Sequence, residues 1–475
     1  MVGQNQSPDE LIEPGTSGRF LVALDPARME KGVNTLSNVA GVSPEIAEGG
    51  DIAAEALEEP ETSVVFPEIA VAVVPASPEQ LTGISEAVAH PQVPILAVEP
   101  EGFNLISQEE SLPSGEGEEE EEEEEEEWPP RGQQGQEFPP SPELASLGSL
   151  SAEYLQGYTD ALQNLLEKVT ARAEAAEEPS PAAIDQSQNT WGLQVTRAST
   201  SRFSGAGIRV AVLDTGLDLG HPDFQGRRIT SQSFVPSEAV QDGNGHGTHC
   251  IGTACGPRQP FSTPRTGLPN YGCAPGSDIF VGKVASNLGF SQDAWILQGI
   301  EWVIANRCAV VCMPAARRVV TIDEPHSPIF EQAARRGLAR GTLFIGVAGS
   351  HSSRPGLVWA VSHPANCPSI VAVANLDDHL QVHPASNRGV GPQPGGAVDI
   401  AGPGVNVHSS WPRPVLRNRI SGTSMAAAHV AGIAALHAQI NPNFRGSRLA
   451  RQLFRSARRL SLPPRDVGAG LVQAP

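Results

Sequence analysis

The stretch Ile420–Gly432, ISGTSMAAAHVAG, sets one serine, Ser424, directly ahead of an apolar run that continues to Leu436. A serine there can cap a helix by accepting orphan backbone N–H groups. It can also attack a carbonyl, provided that a base takes its proton and a carboxylate fixes the tautomer of that base. Two earlier segments supply those partners. Asp214 ends the apolar run IRVAVL within VLDTG, and His246 follows 32 residues later in DGNGHGTHC. Glycines around His246 let the backbone approach closely ahead of an expected helix. Acid, base and hydroxyl together form the set that acyl transfer at a peptide carbonyl requires.

These residues need a frame that brings them together. Largely apolar runs at 208–213, 279–284, 310–313, 343–347 and 370–374 have the pattern of strands buried on both faces. Helical stretches at 291–306 and 328–340 lie between them. Strand–helix alternation predicts an α/β fold with a doubly wound, mostly parallel sheet over residues 185–475. Ligands in such sheets gather at the carboxyl ends of strands, where Asp214 stands. Ahead of it, residues 1–107 predict a small α+β domain after a loose polar start at 1–18. Its strands are expected at 20–24, within 63–74 and at 93–98, with a weak helix at 33–42 and another at 78–89. Residues 108–150 hold ten consecutive glutamates, Glu118–Glu127, followed by WPPRGQQGQEFPPSPE, and predict an acidic disordered linker. Within 151–184, Leu155, Tyr158, Leu162, Leu165, Leu166 and Val169 share the face of an amphipathic helix at 151–177.

Charge divides the chain in the same way. Residues 1–190 carry 6 Lys/Arg and 39 Asp/Glu, residues 191–475 carry 26 and 15, and the whole is −22. Docking of the first region on the second is therefore electrostatically favoured. The arginines of FRGSRLARQLFRSARR form a solvated helix face without a nucleic-acid motif, so no nucleic-acid partner is expected. All six cysteines fall after residue 190, in neither a disulfide framework nor a metal pattern. They are expected to be mostly buried thiols, with one or two bridges left open. The start, MVGQNQSPDELIEPG, lacks the basic and apolar regions of a standard secretory signal, and no apolar run reaches the length of a membrane span. Cytoplasmic retention and export by a non-standard route both stay open.

Taken together, VAVLDTGLDLGHPDF, GHGTHCIGTACG and GTSMAAAHVAG resemble the three signature blocks of the subtilisin-like serine peptidases. The similarity continues in WILQGIEWVIANRC, HPANCPSIVAVA and GAGLVQA, and covers residues 185–475. It implies that Asp214 orients, His246 acts as general base and Ser424 is the nucleophile, with the Ser424 backbone N–H at the oxyanion. It assigns His221, His249 and His429 to packing or hydrogen bonding, and sets Cys250 beside the base as in the thiol-containing branch. FLVALD, SVVFPEIAVAVVPASPEQLTGI and VPILAVEPE resemble the family's inhibitory propeptides. The implied protein is a zymogen acting on peptides or proteins, with its own N-terminal domain as intramolecular inhibitor. No cofactor is required; the resemblance raises a calcium ion at Asp223, although the loop 256–271 offers no carboxylate to join it.

The chain also departs from the family. Ser350 stands where an asparagine usually donates to the oxyanion, and Pro314, Ala315 and Ala316 replace the substrate-pairing Ser-Leu-Gly. A missing oxyanion donor lowers kcat by about 10²–10³, which implies a slow or specialised enzyme. Ala428 replaces a proline, a change suited to an amine competing with water, so a peptide transamidase or macrocyclase is the alternative reading. A catalytically idle interaction protein is the other. By alignment His351 and Ser362 line the pocket for the residue before the cleaved bond, where a partly charged His351 would favour acidic or polar side chains.

Overall fold

The computed structural model describes residues 17–42, 44–47, 62–90, 92–106, 109–110, 184–258, 268–319, 324–389 and 395–475. The helix expected at 151–177 lies outside them. Of the linker expected at 108–150, only Glu109–Glu110 is described, as a short strand.

The N-terminal domain comprises Arg19–Leu24 (β1), Met29–Ala40 (α1), Glu45–Ile46 (β2), Val64–Phe66 (β3), Val71–Pro75 (β4), Pro78–Val88 (α2) and Ile95–Pro100 (β5). Its strands form one sheet in the order β2-β3-β4-β1-β5. Helix α2 starts sharply because Ser77 and Gln80 form a capping box around Pro78. Strand alternation gives the sheet two apolar faces. Phe20, Val22 and Leu24 pack with Leu36, Leu81 and Ile84 of the two helices. Leu21, Ala23, Val71 and Val73 point the other way and join the core of the larger domain. Two short strands follow, Phe103–Leu105 (β6) and Glu109–Glu110 (β7).

The larger domain begins with Trp191–Val195 (α3), Arg209–Asp214 (β8), Ile229–Ser233 (β9), His246–Cys255 (α4) and Asp278–Lys283 (β10). Phe290–Gln292 (β11), Asp293–Ala305 (α5), Val310–Met313 (β12), Pro328–Arg340 (α6), Leu343–Val347 (β13), Val371–Leu376 (β14) and Ile400–Pro403 (β15) come next. Val407–Ser410 (β16), Arg417–Ser421 (β17), Thr423–Ile440 (α7), Ser447–Ser456 (α8) and Pro464–Val467 (α9) complete it. Seven strands pair in parallel in the order β15-β14-β13-β12-β8-β10-β9. From β8 the chain lays β9 and β10 to one side and β12 to β15 to the other, so the end of β8 opens at the switch point of a doubly wound sheet.

Both faces of this sheet are covered. Ala211, Leu213, Val311 and Phe344 meet α5 and α6 on one side. Val210, Val212, Cys312 and Ile345 meet α4, α7 and α8 on the other. Helix α7 is buried from Thr423 through Ala438, and its run of alanines lets it lie close to the sheet. All six cysteines are buried and free, which removes the bridge left open above. No described helix is long and apolar enough to cross a membrane.

Polar groups fix the N-terminal domain on α5 and α6. The Glu301 carboxylate accepts the backbone N–H groups of Glu68 and Ile69 at 2.8 and 3.0 Å. Gln332 Nε2 donates to the carbonyls of Leu24, Ile69 and Ala70. Glu101 accepts the Ala294 N–H at the start of α5 while paired with Arg19.

Candidate active site

Asp214 is the last residue of β8 and His246 the first of α4; both are buried. His246 Nδ1 lies 2.9 Å from each carboxylate oxygen of Asp214. A nearby residue, Asp242, holds this pair in place. It accepts hydrogen bonds from the Thr215 hydroxyl, the N–H groups of Asn244, Gly245 and Thr248, and the Thr248 hydroxyl, at 2.7–3.0 Å. The end of β8 and the first turn of α4 are thereby tied to one carboxylate. Gly245 has φ 108°, and a Cβ there would meet the Trp411 ring at 2.4 Å, so only glycine fits. Lys283, fully buried, supports the same corner by donating to the Thr215 carbonyl at 2.6 Å. Asp242 and Lys283 were not singled out from the sequence; the aspartate inside the DGNGHG stretch was the available signal.

Ser424 is the second residue of α7, and Gly422 rather than Ser424 occupies the cap position. Helix α7 packs on α4. The Ser424 hydroxyl donates to the Pro314 carbonyl at 3.4 Å, while His246 Nε2 is buried with no partner among the described residues. One turn into α4, Cys250 Sγ lies 3.8 Å from His246 Nδ1. Burial and the Asp214 charge push this thiol well above its usual pKa, so it stays protonated and takes no nucleophilic part.

A strand of the N-terminal domain lies beside Ser424. Strand β6 pairs antiparallel with β11, Leu105 against Phe290 and Phe103 against Gln292. On its other edge, Leu105 and Ala316 exchange backbone hydrogen bonds at 3.2 and 3.3 Å. Beyond Ser424, β7 pairs with β17, Glu109 against Ser421. Pairing of this one segment thus reaches Ala316, two residues after the Pro314 that Ser424 bonds, and Ser421, three residues before Ser424.

A sequence model of the subtilase family matches residues 205–470. The chain belongs to the subtilase family. It is 34% identical over 288 residues to Subtilisin Savinase of Lederbergia lenta, covering 60% of this chain and 96% of that one. The same identity and length hold for the Alkaline protease of Alkalihalobacillus alcalophilus, over 68% of the relative. Subtilisin E of Bacillus subtilis (strain 168) is 31% identical over 257 residues, 54% of this chain and 61% of the relative. The protein is accordingly a subtilisin-like serine endopeptidase.

The positions expected to depart from the family pattern have visible contacts. Ser350 Oγ accepts the Thr423 N–H at 3.2 Å and shares a further hydrogen bond with the Thr423 hydroxyl. The Ser350 oxygen thus secures the first turn of α7 as an acceptor. Pro314 lacks an N–H, yet the position uses only its carbonyl, toward Ser424. His351 and Ser362 are brought together with Asn387: His351 Nδ1 lies 3.4 Å from both Ser362 Oγ and Asn387 Nδ2. Burial and Arg318 lower the His351 pKa, so the ring is neutral near pH 7 and the cationic attraction for acidic side chains is absent. The other histidines have structural partners: His249 bonds the Val407 carbonyl, His429 the Met425 carbonyl and His221 the Leu416 carbonyl.

The calcium expected at Asp223 does not fit. Asp223 is buried, and its carboxylate accepts hydrogen bonds from the Tyr271 hydroxyl at 2.5 Å and from the Arg417 guanidinium. A monovalent cation built into the chain already neutralises this carboxylate, and a divalent ion would have to displace both donors.

Proposed function

We propose that Ser424 attacks the peptide carbonyl, His246 takes the hydroxyl proton through Nε2, and Asp214 holds the imidazole with Nδ1 protonated. The proton then passes to the leaving amine, and water, activated by the same imidazole, hydrolyses the acyl-enzyme. The observation that carries this reading is the short contact of His246 Nδ1 with both Asp214 oxygens, which leaves Nε2 buried without a partner among the described residues. Turning the Ser424 hydroxyl from the Pro314 carbonyl to Nε2 supplies that partner. The Ser424 backbone N–H serves the oxyanion, with Ser350 as a compromised second donor.

The N-terminal domain, residues 1–107, acts as an inhibitory propeptide. Its segment lies antiparallel between β11 and Ala316, as a substrate strand would, and resumes pairing at Glu109 beyond the serine. The bond cut during maturation therefore falls between Ile106 and Glu109. Mass spectrometry of the purified chain and of its Ser424→Ala variant tests the reading. A new N-terminus within 107–109 in the parent alone is expected; an intact parent, or the same cut in both chains, contradicts it.

A further inference from the structure

Strand β6 is held by side chains as well as by strand edges, and one residue dominates. Asp293, at the start of α5, is buried, with 1% of its surface exposed. Its Oδ2 accepts the Gly102 N–H at 2.8 Å, and its Oδ1 accepts the Asn104 side-chain NH₂ at 2.7 Å. Its own N–H donates to the Gly102 carbonyl at 3.1 Å. Asn104 is fully enclosed. A Cβ on residue 102 would come within 3.0 Å of Asp293 Oδ2 and 3.2 Å of the Arg317 guanidinium, so a side chain there must push both aside. Between the two positions, Phe103 rests on Phe290 with ring centroids 5.1 Å apart.

The charge of Asp293 decides what it can accept. Burial opposes its ionisation, but His363, Arg317 and Asn104 outweigh burial and hold its pKa below the usual carboxylate range. In the same corner His363 Nε2 lies 3.7 Å from Asp293 Oδ1, and Arg317 Nε is buried without a hydrogen-bond partner among the described residues. An ionised carboxylate only accepts hydrogen bonds, so the enclosed side chain facing it must donate. A carboxamide does so. An aliphatic side chain would strip the carboxylate of a partner, and a second carboxylate would repel it.

We propose that Asp293 is a specificity residue that selects substrates with the pattern Gly-X-Asn, the asparagine lying two residues before the position of Ile106. The inference rests on the cleft reading above, in which β6 occupies the path of a substrate. The substrate class is then a peptide with glycine and asparagine flanking an aromatic or apolar residue, presented as an extended strand against β11.

The test uses the full-length chain after its own maturation cut and removal of the released N-terminal fragment, with quenched peptides of the sequence Glu101–Ser111, EGFNLISQEES, carrying Asn, Gln, Leu or Asp at the position of Asn104. We expect kcat/KM for the Asn peptide to exceed that for the Leu peptide by about 30-fold or more, with the Asp peptide poorest. In the near-isosteric Asp293→Asn chain, the Asp peptide should gain about tenfold relative to the Asn peptide. Equal or better cleavage of the Leu peptide by the parent overturns the proposal without any variant having to fold. An unchanged ranking in a folded Asp293→Asn chain also overturns it. A fluorophosphonate probe, applied to the same samples, separates the two readings. Labelled Ser424 with none of the peptides cut sinks the role of Asp293 alone; unlabelled Ser424 sinks the cleft reading and this inference with it.

Discussion

Ser350 shows how one substitution can redirect a side chain. A hydroxyl is shorter than a carboxamide, and here its oxygen accepts the Thr423 N–H at the start of α7. Ser350→Asn restores the longer donor, and we expect kcat on a good peptide to rise by about tenfold or more, toward the 10²–10³ that such a donor supplies. A flat or lower kcat would contradict that account. Asp242 carries a different load, since its carboxylate fixes five donors from both sides of the site. Asp242→Ala strands those donors, with an expected loss of about 3 kcal/mol by denaturant unfolding and a fall in kcat. The types and order of Asp214, His246 and Ser424 were legible because each ends or begins a regular element. Asp293, Asp242 and Asn387 were not, because their roles depend on partners distant in the chain, and no local pattern marks them.

Among elements, the buried parallel strands were the easiest to read, and runs such as Val310–Met313 and Leu343–Val347 lie where apolar continuity placed them. Helix α6 also matched, because Ser327 caps it, Pro328 opens it and Gly341 closes it in a left-handed conformation. The strands β6, β7, β11 and β17 escaped. They are short edge strands defined by what pairs with them, and pairing across the chain leaves no local hydrophobic period. The start of α4 offers an element-level check. Gly245→Ala forces a Cβ into the Trp411 ring at a positive φ, so the first turn must shift and carry His246 with it. Thermal unfolding should show a loss of about 1–3 kcal/mol, with labelling of Ser424 strongly reduced; unchanged stability would show that the turn yields freely.

For the whole molecule, the union of the two domains is a feature that the sequence suggested through charge and through the propeptide resemblance, without showing the surfaces that meet. The structure instead shows an apolar face of the N-terminal sheet continuous with the α5–α6 core, ringed by buried carboxylates. Burial raises the Glu301 pKa to about 7 and the Glu99 pKa to about 8, from 4.5 for each in a solvated chain. The docked state therefore binds protons more tightly than the separated state. Its extra stability is full below about pH 4.5 for these two groups and is lost as pH rises through 7 to 8. His363 and Asp293 have lowered pKa values and act oppositely, weakening the union at acid pH. Hydrogen exchange of β1 and β4 in the Ser424→Ala chain should accordingly be slowest near pH 5 after correction for intrinsic exchange, and accelerate as pH rises through 7 to 8. Exchange that slows further toward pH 9 would contradict the assignment. Glu301→Ala should bring the fast regime to neutral pH by removing the acceptor of the Glu68 and Ile69 N–H groups.

The central claim is that Ser424 is a nucleophile activated by His246 on the support of Asp214. Peptide mapping after fluorophosphonate treatment tests it most directly, comparing the parent chain with folded His246→Ala and Asp214→Asn variants. A single phosphonyl adduct on Ser424 in the parent, formed at least about 10³-fold more slowly in either variant, is the predicted result. An adduct elsewhere, or equal labelling of Ser424 in all three chains, would contradict the account.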